Sequence, residues 1–466
     1  MSSGNWRYAL LFLGAVLARL IFHALTGFTA DDAFITFRYA DNIAHGLGFV
    51  YNAGERVLGT STPFFTFFLS LTSSVGINPQ DSALFISLIA SGCTAVVLYR
   101  YAQAWRFAGL AWLPSVVYIM WPRSIPSDSC GMETALFTTF CVSALYFQQR
   151  KQSNWSLAFA TLAAVTRVEG GILLAVLLVS EIIRRPRQAY SFLVIPAAVL
   201  IPWGIFAWAY FGSPIPHSIT AKLALYSQLP AKPVLEQMSQ VLGLHNLLSI
   251  PLWIAVFTGW YLLWRTRREG LIEMIWLVLM TLFFSLSTTH LFFWYMAPMA
   301  PIYLLIASAG VAMLSDRLPR RFMHAPWVTP VLISLVVVSL ALTWRTPVRD
   351  FSQFQNVMEE CHVAIGNYLR VHAKETDLIA AEDIGYMGYL SGRRILDRDG
   401  LVSPEAVPYN RTAKYYDLIR DFRPDWVVAK ADFLSPFLAD SMIFGDYNLA
   451  QRFSSREADY WVLRRK

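Results

Sequence analysis

The chain has 466 residues, of which 56% are hydrophobic and only 15% charged, and its mean hydropathy is +0.44. That balance excludes an ordinary soluble domain and predicts a polytopic α-helical membrane protein. The net charge of +7 does not point to a nucleic-acid partner, because basic residues in such a chain are first sorted by the cytoplasmic preference of short loops.

The first apolar run, 6–28, has only Arg7 ahead of it and no convincing small-residue cleavage site, so it is expected to remain as an anchor. "TADDAFITFRYADNIAHGLG" then opens the loop 29–80 with Asp31 and Asp32 side by side, followed by Arg38 and Asp41. Within that loop the apolar segment 62–77 decides the sidedness of everything downstream. If it lies along the surface, the groups Arg100/Arg106, Arg150/Lys151, Arg184/Arg185/Arg187, Arg265/Arg267/Arg268 and Arg317/Arg320/Arg321 all share the N-terminal side. The positive-inside rule makes that side cytoplasmic, so 62–77 is read as an interfacial or re-entrant helix.

Further spans are predicted near 82–103, 107–121, 132–149, 189–211, 241–264, 270–289, 291–314 and 325–344. The stretch 154–183 is interrupted by "TRVEG". A charge pair in the middle of one lipid-facing helix is costly, so two short spans meeting at Arg167 and Glu169 are expected. The total is about eleven spans of roughly 20 residues each, with the N-terminus in the cytoplasm of a bacterial inner membrane and the C-terminus in the periplasm. From 346 to 466 charges become frequent, and the short apolar runs 378–381, 394–396, 426–429 and 460–463 alternate with helical stretches near 353–373 and 412–421. This predicts a small periplasmic α/β domain after a transmembrane domain covering 1–345. Cys93, Cys130, Cys141 and Cys361 show neither zinc-ligand spacing nor a disulfide framework.

The unusual polar residues gather on the outward side, and each has a bland reading. Asp31 and Asp32 fit a helix N-terminus. Asp128 suits a turn, and Glu133 the start of a span. Arg167 and Glu169 fit a buried ion pair, Lys222, in a two-proline loop with His217, a snorkelling anchor, and His290 a solvated imidazole. Tyr295, beside Trp294, fits an aromatic belt. Together they set acids and cations on one surface beside lipid. A carboxylate base can activate an acceptor hydroxyl, and cations can stabilise the departing phosphate of a lipid-linked sugar. No cofactor is required by the sequence. A divalent cation near so many acids is possible chemistry, without any diagnostic ligand spacing.

"DDAFITFRYADNIAHGLGFVYNAGERVLGTSTPFF" resembles the first periplasmic loop of GT-C superfamily glycosyltransferases that use polyprenyl-phosphate sugars. The nearest likeness is to the branch of terminal arabinofuranosyltransferases. "GMETALF", "TRVEG", "GSPIPHSITAK" and "EDIGYMGYLSGRRILDRDGLV" extend it over nearly the whole chain. The resemblance implies a catalytic base at Asp31 or Asp32, with Asp31 favoured. It implies donor or phosphate contacts at Arg38, Arg167, Lys222, His217 and His290, and substrate-orienting roles for Asp128, Glu133, Glu169 and Tyr295. The implied partners are a polyprenyl-phosphate sugar, arabinofuranose foremost and a hexose or mannose next, membrane lipids, and an acceptor hydroxyl on a periplasmic glycan, glycolipid or surface protein such as a pilin. Val168 stands where related stretches often carry proline, so the bend at that corner is expected to be less rigid. A lipid-linked sugar flippase is the competing reading. It predicts internal repeats and midplane polar residues, neither of which the sequence shows.

Overall fold

The computed structural model describes residues 5–107, 109–227, 233–242, 249–267, 269–287, 290–315, 347–438 and 445–466. Among the described residues four helices are long and apolar enough to cross a membrane: Asn5–Thr26, Pro79–Ala104, Pro186–Phe211 and Phe293–Met313. In chain order the helices are α1 (Asn5–Thr26), α2 (Asp31–Ala44), α3 (Pro63–Ser73), α4 (Pro79–Ala104), α5 (Leu113–Met120), α6 (Ser124–Ser129), α7 (Thr134–Gln149) and α8 (Ser153–Thr166). They continue as α9 (Gly170–Arg184), α10 (Ala189–Phe211), α11 (His217–Tyr226), α12 (Val234–Leu242), α13 (Ser249–Arg267), α14 (Leu271–Leu286) and α15 (Ala300–Ser315). Each expected span from 6–28 to 291–314 overlaps one of these, except that 107–121 shrinks to the eight residues of α5. The expected span 325–344 lies outside the described residues.

Local sequence explains the punctuation. Pro79 starts α4, and the Asn78 side chain accepts the Gln80 N–H at 2.8 Å, an N-cap. At 11 residues α3 rises only about 16 Å, well short of the roughly 30 Å hydrocarbon layer, as an interfacial helix must. Arg167 ends α8 in an extended conformation, and α9 restarts at Gly170. A Cβ at Gly170 would collide with the Ala163 carbonyl, so glycine rather than proline permits this corner. On α1 the exposed Leu10, Leu13, Leu17 and Ile21 form a lipid-facing stripe, while Leu11, Ala15, Arg19 and Phe22 are buried toward the bundle.

In the remaining chain, helices including Ala364–His372, Tyr415–Phe422 and Ala431–Leu438 accompany, among the described residues, a five-stranded mixed sheet of order β2-β1-β3-β5-β4, with β1 Leu378–Ala381, β2 Arg394–Asp397, β3 Trp426–Lys430, β4 Tyr447–Ser454 and β5 Asp459–Arg465. β1 pairs in parallel with β2 and β3, and β5 pairs antiparallel with β3 and β4. One sheet face packs Leu418, Ile419 and Leu434 over Ala380, Leu396, Val427 and Leu463. The other face shares its core with the first loop: Ile379, Ile395, Trp426 and Val428 bury against Ile35, Tyr39, Phe49, Tyr51 and Leu58.

Polar contacts fix that union. The Arg38 guanidinium, expected to meet phosphate, is instead buried over the Tyr51 ring at 4.1 Å. It donates to the carbonyls of Gly388 and Arg393, both at 2.7 Å. Asn52 donates to the Ile395 carbonyl at 2.8 Å and accepts the Ile395 N–H at 3.0 Å, so a side-chain amide closes the edge of β2 as a neighbouring strand would. Replacing Arg38 by Met is expected to cost about 2–3 kcal/mol, since a charged donor is lost and buried carbonyls are left unpaired. Arg394→Ala, which breaks only the half-exposed pair with Glu55, should cost under about 1 kcal/mol. Thermal unfolding of the two variants in detergent measures the difference.

Candidate active site

Asp31 and Asp32 are the first two residues of α2, and neighbours on a helix point about 100° apart. Asp31 turns toward the sheet domain. Its Oδ2 accepts the Gly385 N–H and its Oδ1 the Tyr386 N–H, both at 2.9 Å, which satisfies the first turn of the helix Gly385–Ser391 from another part of the chain. A Cβ at Gly385 would overlap Asp31, so only glycine admits this approach. His362 Nδ1 lies 3.4 Å from Asp31 Oδ1, and its Nε2 is 3.1 Å from the Tyr460 hydroxyl, which donates to Asp383 at 2.6 Å. His362 projects from a π-helical turn, Met358–Val363, a local widening frequent at functional sites.

Asp32 faces the other way. Its side chain is 33% exposed, and among the described residues its ion-pair partner is Lys222, with Nζ at 3.9 Å from Oδ2. Lys222 is carried by α11, which Pro216 starts and the sheet domain holds. Its Ala221 and Ala224 bury against Val407, and the His217 N–H donates to the Leu58 carbonyl at 2.7 Å. Lys222 donates to the Tyr295 hydroxyl at 3.5 Å and sits 6.0 Å from the Phe292 ring centre. The Tyr295 ring in turn lies 5.2 Å from the Arg167 guanidinium, which is anchored by Glu133 and Glu169, each at 2.6 Å. Five segments far apart in sequence therefore build one continuous row from Asp32 through Lys222, Tyr295 and Arg167 to two carboxylates.

Electrostatics separates the two aspartates. Burial raises the Asp32 carboxyl above the ordinary range, against the pull of Lys222, and Asp31 and Asp383 add to the rise. Burial also opposes the charge on Asp31, but the hydrogen bond and charge of His362 with the two backbone N–H groups outweigh it and hold Asp31 low. His362 is correspondingly raised, burial being overcome by Asp31. Lys222 is raised too: burial works against its charge, while Tyr295 and Asp32 favour it.

The other expected site residues fall in different places. The exposed His290 packs its ring against Phe292 at 4.8 Å, beside Lys222. His217 is half-buried next to Gly400, its Nε2 without a hydrogen bond among the described residues, and burial lowers its pKa. Asp128 is buried against Arg19 at 2.8 Å and accepts the Tyr118 hydroxyl at 2.8 Å, closing the inner face of α1. Arg38 serves in docking, its two terminal nitrogens engaged by the Gly388 and Arg393 carbonyls. Sequence reasoning missed Arg19, although a lone arginine inside an apolar span demands a partner. It also missed His362 and the charged residues that follow the parallel strands: Glu382 and Asp383 after β1, Arg398 and Asp399 after β2, and Lys430 ending β3. Arg398 and Lys430 both pair with Glu382, and Lys222 reaches Asp399 electrostatically. Among the described residues no three His, Cys, Asp or Glu side chains converge to hold a metal ion, and the four cysteines are free thiols.

Residues 350–463 match the family described as Domain of unknown function (DUF8728). No curated protein matches the chain. Two solved structures resemble it over its full length. ArnT from Cupriavidus metallidurans bound to undecaprenyl phosphate aligns at TM-score 0.66 and 12% identity, covering 99% of this chain and 98% of ArnT. The same protein in the apo state aligns at TM-score 0.63 and 13% identity with the same coverage. At that identity the likeness establishes architecture: this chain is a multi-pass membrane protein with the fold seen in ArnT.

The Asp31–His362 pair predicts how domain docking responds to pH. The raised His362 contributes fully below its unfolded value of 6.5 and is lost as pH rises through its folded value. The lowered Asp31 contributes above its unfolded value of 3.8 and is lost as pH falls through its folded value. Docking is therefore expected to be firmest in the mildly acidic window between those unfolded values and to loosen on either side. Thermal unfolding against pH should show this dome, and His362→Gln should flatten its alkaline limb.

Proposed function

We propose that the protein is a membrane glycosyltransferase that moves a sugar from a polyprenyl-phosphate donor to an acceptor hydroxyl, with Asp32 as the catalytic base. One observation carries the reading: the Asp32–Lys222 pair stands apart at 3.9 Å with both side chains partly exposed, while the neighbouring Arg167 pairs are closed at 2.6 Å. An open carboxylate and amine, side by side, can take an alcohol and a phosphate between them. Asp31, saturated by two backbone N–H groups and an imidazole, has no comparable freedom.

In the proposed step Asp32 accepts the acceptor hydroxyl proton as that oxygen attacks the anomeric carbon. The bond from anomeric carbon to phosphate oxygen breaks, and its electron pair leaves with the polyprenyl phosphate. Lys222 meets the charge growing on that phosphate, with the Tyr295 hydroxyl and the unpaired edge of the Arg167 guanidinium beside it and His290 at the rim. Glu133 and Glu169 fix the Arg167 plane, so it needs no reorganisation as charge develops. The raised affinity of Asp32 for protons suits a base that must receive one, and Lys222 opposes that rise by favouring the charged form. The carboxyl ends of β1, β2 and β3, carrying Glu382, Asp399, Arg398 and Lys430, are proposed to receive the acceptor. Arabinofuranose as the donor sugar, the periplasm as the side of reaction and a bacterial envelope glycan as acceptor rest on the first-loop resemblance. Undecaprenyl phosphate in the ArnT structure supports a polyprenyl-phosphate carrier.

Turnover by purified protein in detergent tests the assignment, with decaprenyl-phosphate arabinofuranose as first donor and hexose carriers as comparison. Asp32→Asn is expected to lower kcat by about 10²–10⁴-fold with thermal stability retained. Asp31→Asn should chiefly lower the melting temperature, and Lys222→Gln should raise the donor KM. Full turnover by Asp32→Asn would overturn the base, and a larger kcat loss in folded Asp31→Asn would move it one residue back.

A further inference from the structure

The end of the bundle farthest from Asp32 holds a cavity of about 420 Å³, lined among others by Tyr8, Arg100, Gln103, Tyr146, Arg150 and Gln152. We propose that this cavity binds the phosphate of an anionic lipid headgroup. The inference is independent of the transfer reading, because the two sites lie at opposite ends of the same helices. α4 begins at Pro79 near the first loop, where Gln80 donates to the Thr29 hydroxyl at 3.3 Å, and reaches Arg100 about 30 Å further along. α7 begins beside Glu133 and ends at Arg150, about 25 Å away. That separation matches the hydrocarbon thickness of a bilayer, roughly 30 Å.

The chemistry of the lining selects an anion. Among the described residues neither Arg100 nor Arg150 has a carboxylate partner, and no lining residue is acidic. Arg184 and Arg185 at this end contrast with them, because Glu181 meets Arg184 at 2.9 Å and Arg185 at 3.2 Å. The carbonyl ends of α4 and α7 lean toward negative, and two uncompensated guanidiniums overturn that sign. Guanidinium forks match phosphate oxygens in pairs, and the Gln103 and Gln152 amides with the Tyr8 and Tyr146 hydroxyls supply neutral donors around them.

The walls are already built. The Arg100 guanidinium lies 5.4 Å from the Tyr8 ring, Tyr8 meets Tyr99 edge-on at 5.6 Å, and Tyr146 meets Tyr101 at 5.9 Å. A snorkelling arginine extends alone into the headgroup layer, whereas here three helices bring two arginines to one concavity. A lipid is favoured over a free ion by what adjoins it. Phe147 of the lining stacks on Phe159 at 5.5 Å, and Trp155 beside them is exposed, so an apolar face continues from the cavity toward the acyl region. Basic pockets between transmembrane helices bind anionic headgroups by this combination.

The test uses the full chain purified in detergent, with native mass spectrometry and thermal unfolding as readouts. Added phosphatidylglycerol should remain bound and raise the melting temperature, and phosphatidylcholine should do neither. Arg100→Gln with Arg150→Gln should weaken phosphatidylglycerol retention by roughly ten- to thirtyfold, while Lys151→Gln with Arg187→Gln, at the same end but outside the lining, should leave it unchanged. If the double variant does not assemble, the single Arg100→Lys and Arg150→Lys variants, which keep the charge and lose the fork, should each show a smaller loss. Inorganic phosphate that matches the lipid's stabilisation would overturn the headgroup assignment. Equal retention in the lining and control variants, or equal retention of phosphatidylcholine, would overturn the site.

Discussion

Two consecutive side chains cannot leave a helix in the same direction, and the structure turns on that constraint at Asp31 and Asp32. With both at the start of α2, one carboxylate must face the sheet domain when the other faces the membrane helices. The first becomes a fastener, satisfied by Gly385, Tyr386 and His362. The second is left partly exposed beside Lys222. Fastening Asp31 therefore orients Asp32, and the sheet domain takes part in the candidate site by fixing the helix from which the second carboxylate projects.

The rest of the row follows from the cost of charge near apolar surroundings. Arg167, Glu133 and Glu169 are nearly inaccessible, so they persist only as a closely paired, hydrogen-bonded group. Asp128 and Arg19 do the same within the helices and leave no charge over for chemistry. Lys222 differs because its only carboxylate partner among the described residues stands at a distance, while aromatic rings of Phe292 and Tyr295 shield it. Rigidity thus grades into accessibility along one line of side chains.

How much of this could be read from residues alone depends on the range of the interactions. The α8–α9 corner was legible because "TRVEG" puts charges inside an apolar run, a conflict resolved locally. Three of the five strands were legible as compact apolar runs, and β2 nearly so. β4 was not, since Tyr447–Ser454 is a mostly exposed edge strand with no apolar signal. The reach of 107–121 was overestimated because hydropathy counts residues without knowing where a helix breaks. Arg38 looked like a phosphate ligand for a reason of distance: its partners are carbonyls some 350 positions away, which no local pattern encodes. His362 gave no signal at all, since its significance arises only when Asp31 is brought to it.

The shared core of the first loop and the sheet has a bearing on biogenesis. Ile35, Tyr39, Phe49 and Tyr51 leave the ribosome early and Val428 and Val462 last, yet all belong to one hydrophobic seat. A contact that spans nearly the whole polypeptide cannot close until the intervening helices have been inserted, so the early loop waits, apolar side uncovered, through most of translation. Severing the last 120 or so residues would therefore leave neither piece with a complete interior.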